Sequence, residues 1–137
     1  MGQAGVALYK VGAVKDIPGV RRYVSVDGGM GDNIRPALYG ARLEAVIANR
    51  MKDKAAGKFT IAGKFCESGD ILIKDVELAE PVAGDILTVA GCGAYSLAEA
   101  SNYNASLKPA IVMVKEGKAR LIRRRESFDD LTRCDLV

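Results

Sequence analysis

The sequence predicts a mainly β chain, a barrel or sandwich of short strands with one or two short helices. Three observations carry that prediction. Strand-length segments that alternate or run apolar recur between Gly, Asp and Pro punctuation. SLAEASNYNA, 96–105, has helix-forming residues and little β-branching, so it interrupts the strands with a short helix. At 137 residues the chain is long enough to bury a core without disulfide staples, so one domain spanning 1–137 is expected.

The elements follow in order. VALYKVGAVK and RRYVSVD are rich in β-branched and aromatic residues, and Asp16-Ile17-Pro18-Gly19 separates them, which predicts strand, turn and strand. GGMGDNIRP packs three glycines, Asp32, Asn33 and Pro36 into nine residues and reads as a long loop. Residues 43–48 are apolar enough for helix or strand, and strand is preferred. After the polar connection MKDKAAGK, the segments KFTIAGKF, DILIKDVEL and GDILTVAG predict three further strands. SLAEASNYNA predicts a short helix crossing the barrel. AIVMVKEGKARLIRR predicts a hairpin turning at Lys115-Glu116-Gly117-Lys118. Ser127 with Asp130 three residues on has the form of a capping box for a terminal helix ending in LTRC.

Composition narrows the chemistry. The chain is 49% hydrophobic and 27% charged, and no stretch approaches the roughly 20 apolar residues of a membrane span, so a soluble protein without a membrane partner is expected. No secretory signal is visible after Met1, which makes the cytoplasm the simplest location. Cys66, Cys92 and Cys134 are odd in number and lack CxxC spacing, which argues for reduced thiols and against a zinc ribbon or other metal site. With no histidine, any general acid or base must be Cys, Tyr, Lys, Asp or Glu. The net charge is only +3, and ARLIRRR is broken by Leu121 and Ile122 without interleaved aromatics. It reads as a solvated strand face, and no nucleic-acid partner is expected.

The most informative piece is Cys66-Glu67-Ser68-Gly69-Asp70, between two predicted strands. It reads as a tight turn whose cysteine is a small buried hydrophobe. A site is also chemically plausible: a thiol beside a carboxylate can donate a proton to a carbanion, and Glu67 can accept hydrogen bonds from a substrate ammonium. The residues alone leave these open.

Five blocks resemble diaminopimelate decarboxylase in that enzyme's order: VSVDGGMGDNIRPALYGARLEA from Val24 to Ala45, CESGD from Cys66, GAY from Gly93 to Tyr95, SNYN from Ser101, and LIRRRES from Leu121. The resemblance covers Val6 to about Leu131. It implies the family's C-terminal Greek-key-like β-barrel domain, like that of alanine racemase, with residues 1–30 including the junction to an α/β barrel that holds pyridoxal phosphate through a lysine. That barrel's motifs are not in this sequence. The extreme N-terminus of the full enzyme supplies a strand to this domain, so an unpaired edge open to pairing is expected here.

The resemblance also implies roles. The family removes carbon dioxide from the D-centre of meso-2,6-diaminopimelate to give L-lysine, with pyridoxal phosphate as the electron sink. Arg35 matches the residue that binds a substrate carboxylate and Tyr39 one that hydrogen-bonds the same substrate. Cys66 matches the proton donor and Glu67 the reader of the distal amino group, both supplied across a homodimer interface. Tyr95 matches a residue that reaches cofactor and substrate. Local alternatives stand beside these: a surface salt bridge for Arg35, a half-buried loop anchor for Tyr39 and barrel packing for Tyr95. The chain departs from the family after GAY, where Ser96-Leu97-Ala98-Glu99-Ala100-Ser101 replaces a small residue, an aromatic and Ser-Met-Ala-Ser; Glu99 is harmless on an outward face. An isolated domain of this kind is expected to be inactive. The competing expectations are a related decarboxylase acting on ornithine, arginine or carboxynorspermidine, and a non-catalytic β-barrel binding module.

Overall fold

A computed structural model describes residues 2–136, so the two end residues of the expected 1–137 span lie outside the described residues. Eight strands form, β1 (Ala7–Ile17), β2 (Arg21–Val26), β3 (Ala45–Ile47), β4 (Gly57–Ala62), β5 (Ile71–Leu78), β6 (Ile86–Val89), β7 (Ile111–Lys115) and β8 (Lys118–Arg123). Three short α-helices accompany them, α1 (Arg35–Tyr39), α2 (Ser96–Glu99) and α3 (Phe128–Thr132). No helix among the described residues is long and apolar enough to cross a membrane.

Six strands make one sheet in the order β3-β6-β1-β2-β4-β5. All neighbours are antiparallel except β2 and β4, which run parallel with Val24 opposite Ile61. The first and last strands in that order, β3 and β5, lie against each other, so the sheet is a nearly closed barrel. Alternation decides which side chains enter it. In β1, Tyr9 and Val11 point inward while Leu8 stays exposed. In β2, Val24 and Val26 do the same. All six strands feed one cluster, with Phe59, Ile61, Leu72 and Leu87 among its largest fully buried side chains. Each such burial stabilises the fold by about 1.5–3 kcal/mol.

β1 and β2 slip register between Val11 and Val14. Ser25 Oγ fills the irregularity by accepting the Ala13 N–H at 2.9 Å. β7 and β8 form a separate two-stranded sheet whose turn places Glu116 at φ 52° and Gly117 at φ 73°. That backbone matches the twist of a tight hairpin and needs Gly at its second position. Val112, Val114, Leu121 and Ile122 of this hairpin are exposed. α3 begins with the expected capping box: the Ser127 N–H donates to Asp130 Oδ2 at 2.8 Å, and the Ser127 side chain meets the backbone of Asp130 in return.

The structure departs from the sequence reading in three places. The loop expected through Pro36 ends two residues earlier, at Ile34, because Arg35–Tyr39 is a helical turn with Pro at its start and Gly40 at φ 63° closing it. The strand expected to continue to Phe65 stops at Ala62, because the next amides beyond Gly63 turn elsewhere, Lys64 N–H to Gly28 O at 2.9 Å and Phe65 N–H to the Asp70 carboxylate at 2.8 Å. Helical turns are more numerous than expected, with 3-10 turns at Gly2–Ala4, Ala48–Arg50 and Tyr103–Ala105 beside the three α-helices.

Candidate active site

Three loops converge at one end of the barrel: 27–34 between β2 and α1, 63–70 between β4 and β5, and 90–105 after β6. Lys64 N–H donates to Gly28 O at 2.9 Å, and Ser101 N–H donates to Gly31 O at 2.9 Å, so the first loop is tied to the other two. Gly28, Gly29, Gly31 and Gly63 owe their presence to space. A methyl group at Gly31 would lie 2.7 Å from the Phe65 ring, and one at Gly28 would lie 2.2 Å from the Tyr9 ring. Phe65 in turn meets Tyr103 edge to face, with ring centroids 5.3 Å apart.

The floor beneath these loops is apolar and titratable. Tyr9 is 5% exposed and its hydroxyl has no hydrogen-bond partner among the described residues; burial, reinforced by Asp32, pushes its phenol pKa upward. Burial likewise raises Asp32 against the pull of the Gly29 N–H, which its Oδ2 accepts at 3.0 Å, and raises the Cys92 thiol. Desolvation drives all three toward their neutral forms.

Arg35 stands at the start of α1. Its Nη1 donates to Gly91 O at 3.0 Å, and its N–H donates to Asn33 Oδ1 at 3.3 Å. No ion pair holds Arg35 among the described residues, so the salt bridge weighed for it does not form. Tyr39, one helical turn on, is 65% exposed, more than the half-buried loop anchor weighed for it. Tyr95 is 72% exposed, at φ 67° before α2, so barrel packing does not account for it. Glu99 is half-buried with Oε2 unpartnered, which differs from an outward-facing side chain.

Cys66 is exposed, which removes the reading of a buried small hydrophobe, and all three cysteines are free. Glu67 beside it is exposed too. Its Oε1 accepts the Gly69 N–H at 3.1 Å and the Ser68 hydroxyl at 3.2 Å, while Tyr103 Oη donates to Oε2 at 3.5 Å. The Gly69 N–H first, then the Ser68 hydroxyl, hold the Glu67 pKa below the usual range, so the carboxylate stays ionised.

The structure therefore gathers Arg35 with the Gly91 turn that leads to Tyr95, and Cys66 with Glu67. Among the described residues no hydrogen bond or ion pair joins the first set to the second. What connects them is the 27–34 loop, and the side chain that fastens it is Asp70, 2% exposed, which sequence reasoning left without a role. Gly28, Gly29, Gly31 and Gly63, clustered about acidic residues, were the signal in the sequence of close backbone approach.

A family model described as "Pyridoxal-dependent decarboxylase, C-terminal sheet domain" matches residues 3–93. The diaminopimelate decarboxylase of Bacillus subtilis is 52% identical over 136 residues, covering 99% of this chain and 31% of that protein. That of Synechocystis is 50% identical over 137 residues, covering 100% of this chain and 29% of that protein. Among solved structures, diaminopimelate decarboxylase from M. jannaschii in co-complex with L-lysine superposes with a TM-score of 0.90 at 38% identity, covering 99% of this chain and 31% of that one. The Helicobacter pylori enzyme complexed with L-lysine gives 0.83 at 32% identity, over 96% of this chain and 32% of that one. The chain thus spans about a third of the length of the curated relatives it matches.

Proposed function

Because the chain belongs to the pyridoxal-dependent decarboxylases, as their C-terminal sheet domain, we propose that it is the substrate-side and proton-donor domain of a diaminopimelate decarboxylase. The intact enzyme would convert meso-2,6-diaminopimelate to L-lysine in the cytoplasm, with residues 1–137 forming one β domain beside a barrel that holds pyridoxal phosphate. The observation that carries this reading is the 66–70 loop: an exposed thiol next to a carboxylate kept ionised by Gly69 and Ser68.

Bound cofactor supplies the electron sink that makes loss of carbon dioxide possible. This chain fits a cofactor held elsewhere, because Tyr95 offers a free phenol on an exposed turn. Tyr95 would contact the cofactor's edge and the substrate. Arg35 spends one donor on Gly91 O and keeps the rest of its planar fork for a substrate carboxylate, which suits paired hydrogen bonds. Tyr39 would add a hydroxyl contact to the same substrate from the next helical turn.

Glu67 would pair with the ammonium of the distal L-centre, holding the substrate at a fixed distance from the thiol. Cys66 Sγ–H then delivers its proton to the carbon that has lost carbon dioxide, and solvent restores the exposed thiol. That Cys66 and Glu67 are exposed and, among the described residues, make no direct hydrogen bond or ion pair with Arg35 or Tyr95 favours their being offered to a second copy, so activity would require a homodimer.

The test combines this chain with the separately expressed barrel domain, pyridoxal phosphate and meso-diaminopimelate, and measures lysine. Lysine from the associated pair, abolished by Cys66→Ala, is the expected result. No lysine from a pair that demonstrably associates, or full activity in Cys66→Ala, overturns the reading.

A further inference from the structure

We infer that Asp70 is a positioning residue: its carboxylate clamps the loop carrying Cys66 and Glu67 to the loop that leads into Arg35. The catalytic consequence rests on the decarboxylase reading, whereas the clamp itself does not.

Asp70 is 2% exposed, yet no cation pairs with it among the described residues. Both oxygens serve backbone donors instead. Oδ1 accepts the Met30 N–H at 2.7 Å, forty residues away, and Oδ2 accepts the Phe65 N–H at 2.8 Å, within its own loop. Its main chain closes the same loop, its N–H donating to Glu67 O at 3.1 Å and its carbonyl accepting from Gly63 N–H at 2.9 Å. Both loops meet the carboxylate with bare backbone: a methyl group at Gly29 would lie 2.4 Å from an Asp70 oxygen, and one at Gly63 would lie 2.1 Å away.

A buried carboxylate without a cation is costly unless its lone pairs are used, and N–H bonds to a charged oxygen are stronger than neutral ones. What the carboxylate provides that asparagine cannot is an acceptor for each loop at once, because asparagine has one acceptor oxygen and turns its NH2 toward the other backbone donor. The chain contains its own control. Asp85 is 3% exposed, but its partners are Asn49, Arg50 and Val82, and none of its hydrogen bonds reaches either loop.

The experiment compares Asp70→Asn with Asp85→Asn. In the chain alone, pulse alkylation with iodoacetamide followed by peptide mass spectrometry gives the reaction rate of Cys66 separately from Cys92 and Cys134. Asp70→Asn is expected to change the Cys66 rate at least about threefold, and in the chain combined with its barrel domain to lower kcat about 100-fold, the scale set by a misplacement of roughly 1 Å. Asp85→Asn is expected to lower the melting temperature while leaving the Cys66 rate and kcat at wild-type values. An unchanged Cys66 rate in Asp70→Asn, or an equal change in both variants, overturns the inference. If Cys66→Ala retains activity, the decarboxylase reading falls and the alkylation comparison still decides the clamp. Should Asp70→Asn fail to fold, native-state hydrogen exchange of the unaltered chain decides: Met30 and Phe65 amides opening together support one clamp, and independent opening sinks it.

Discussion

Asn102 Nδ2 donates to Glu126 Oε2 at 2.7 Å, joining the SNYN and LIRRRES segments across 24 residues of chain. The same oxygen accepts the Lys108 N–H at 2.8 Å, and Oε1 meets Arg123 at 3.3 Å. One carboxylate thus fastens the base of the exposed β7–β8 hairpin to the segment that carries Tyr103, whose hydroxyl reaches Glu67.

Removing that carboxylate leaves the Lys108 amide and the Asn102 side chain without their acceptor. Glu126→Ala is expected to destabilise the chain by about 0.5–1.5 kcal/mol, the net worth of a hydrogen bond that water can partly replace. Urea unfolding measures it. A stability equal to wild type would show that water replaces Glu126 without loss.

Asp85 should govern acid stability. Arg50 Nε and Nη2 grip it at 3.1 and 2.5 Å, and Val82 N–H and Asn49 Nδ2 complete its shell. The Arg50 hydrogen bonds, opposed by burial, bring its pKa down to about 2 from the usual 3.8. A depressed carboxylate contributes stability that is complete above its unfolded pKa and is lost as pH falls through the folded value. Stability should therefore decline between pH 4 and pH 2, by about 2 kcal/mol for this group. Asp85→Ala leaves Arg50 paired with Asp53 but removes the acceptor of Asn49 Nδ2 and the Val82 N–H, and should cost about 1–3 kcal/mol at neutral pH. Unfolding curves at several pH values read both, and an Asp85→Asn variant with the wild-type acid slope would refute the assignment.

Gly28→Ala tests the close approach of the 27–34 loop to Tyr9. Its methyl would meet the Tyr9 ring at 2.2 Å and Asp32 at 2.4 Å, and the Tyr9 ring is held within the buried core cluster. Overpacking of this kind costs about 1–3 kcal/mol. The melting temperature should fall accordingly; an unchanged value would mean that the loop shifts freely.

Glu67 should titrate below a free glutamate. The Gly69 N–H and Ser68 hydroxyl favour its ionised form, so its charge persists as pH falls past the usual 4.5 and is lost only lower. Carbon-detected NMR titration of the side-chain carboxyl should show the low midpoint, and Ser68→Ala should move it upward. A midpoint at or above 4.5 in the wild-type chain would remove the reason for treating this carboxylate as preset for an ammonium.

Much of this architecture is legible in the residues. The hairpin at Glu116-Gly117 and the capping box at Ser127 and Asp130 are local devices, in which a few neighbouring side chains decide the backbone. β1, β2, β5 and β6 fall where alternation puts them. α1 is missed although its signature is present, because Pro36 and Gly40 also punctuate loops; only their spacing, Pro just inside a start and Gly just past an end, separates the two meanings.

What the sequence by itself determined is the strand content, the turn chemistry and the roster of candidate side chains, since these follow from periodicity, local hydrogen bonding and side-chain type. Only the tertiary structure decided that β2 runs parallel to β4, that Cys66 is exposed, and that Asp70 faces Gly29 and Gly63. The reason is range. The Asp70–Met30 hydrogen bond spans forty residues, and no pattern within a window of a dozen residues encodes which distant backbone donor a buried carboxylate will meet.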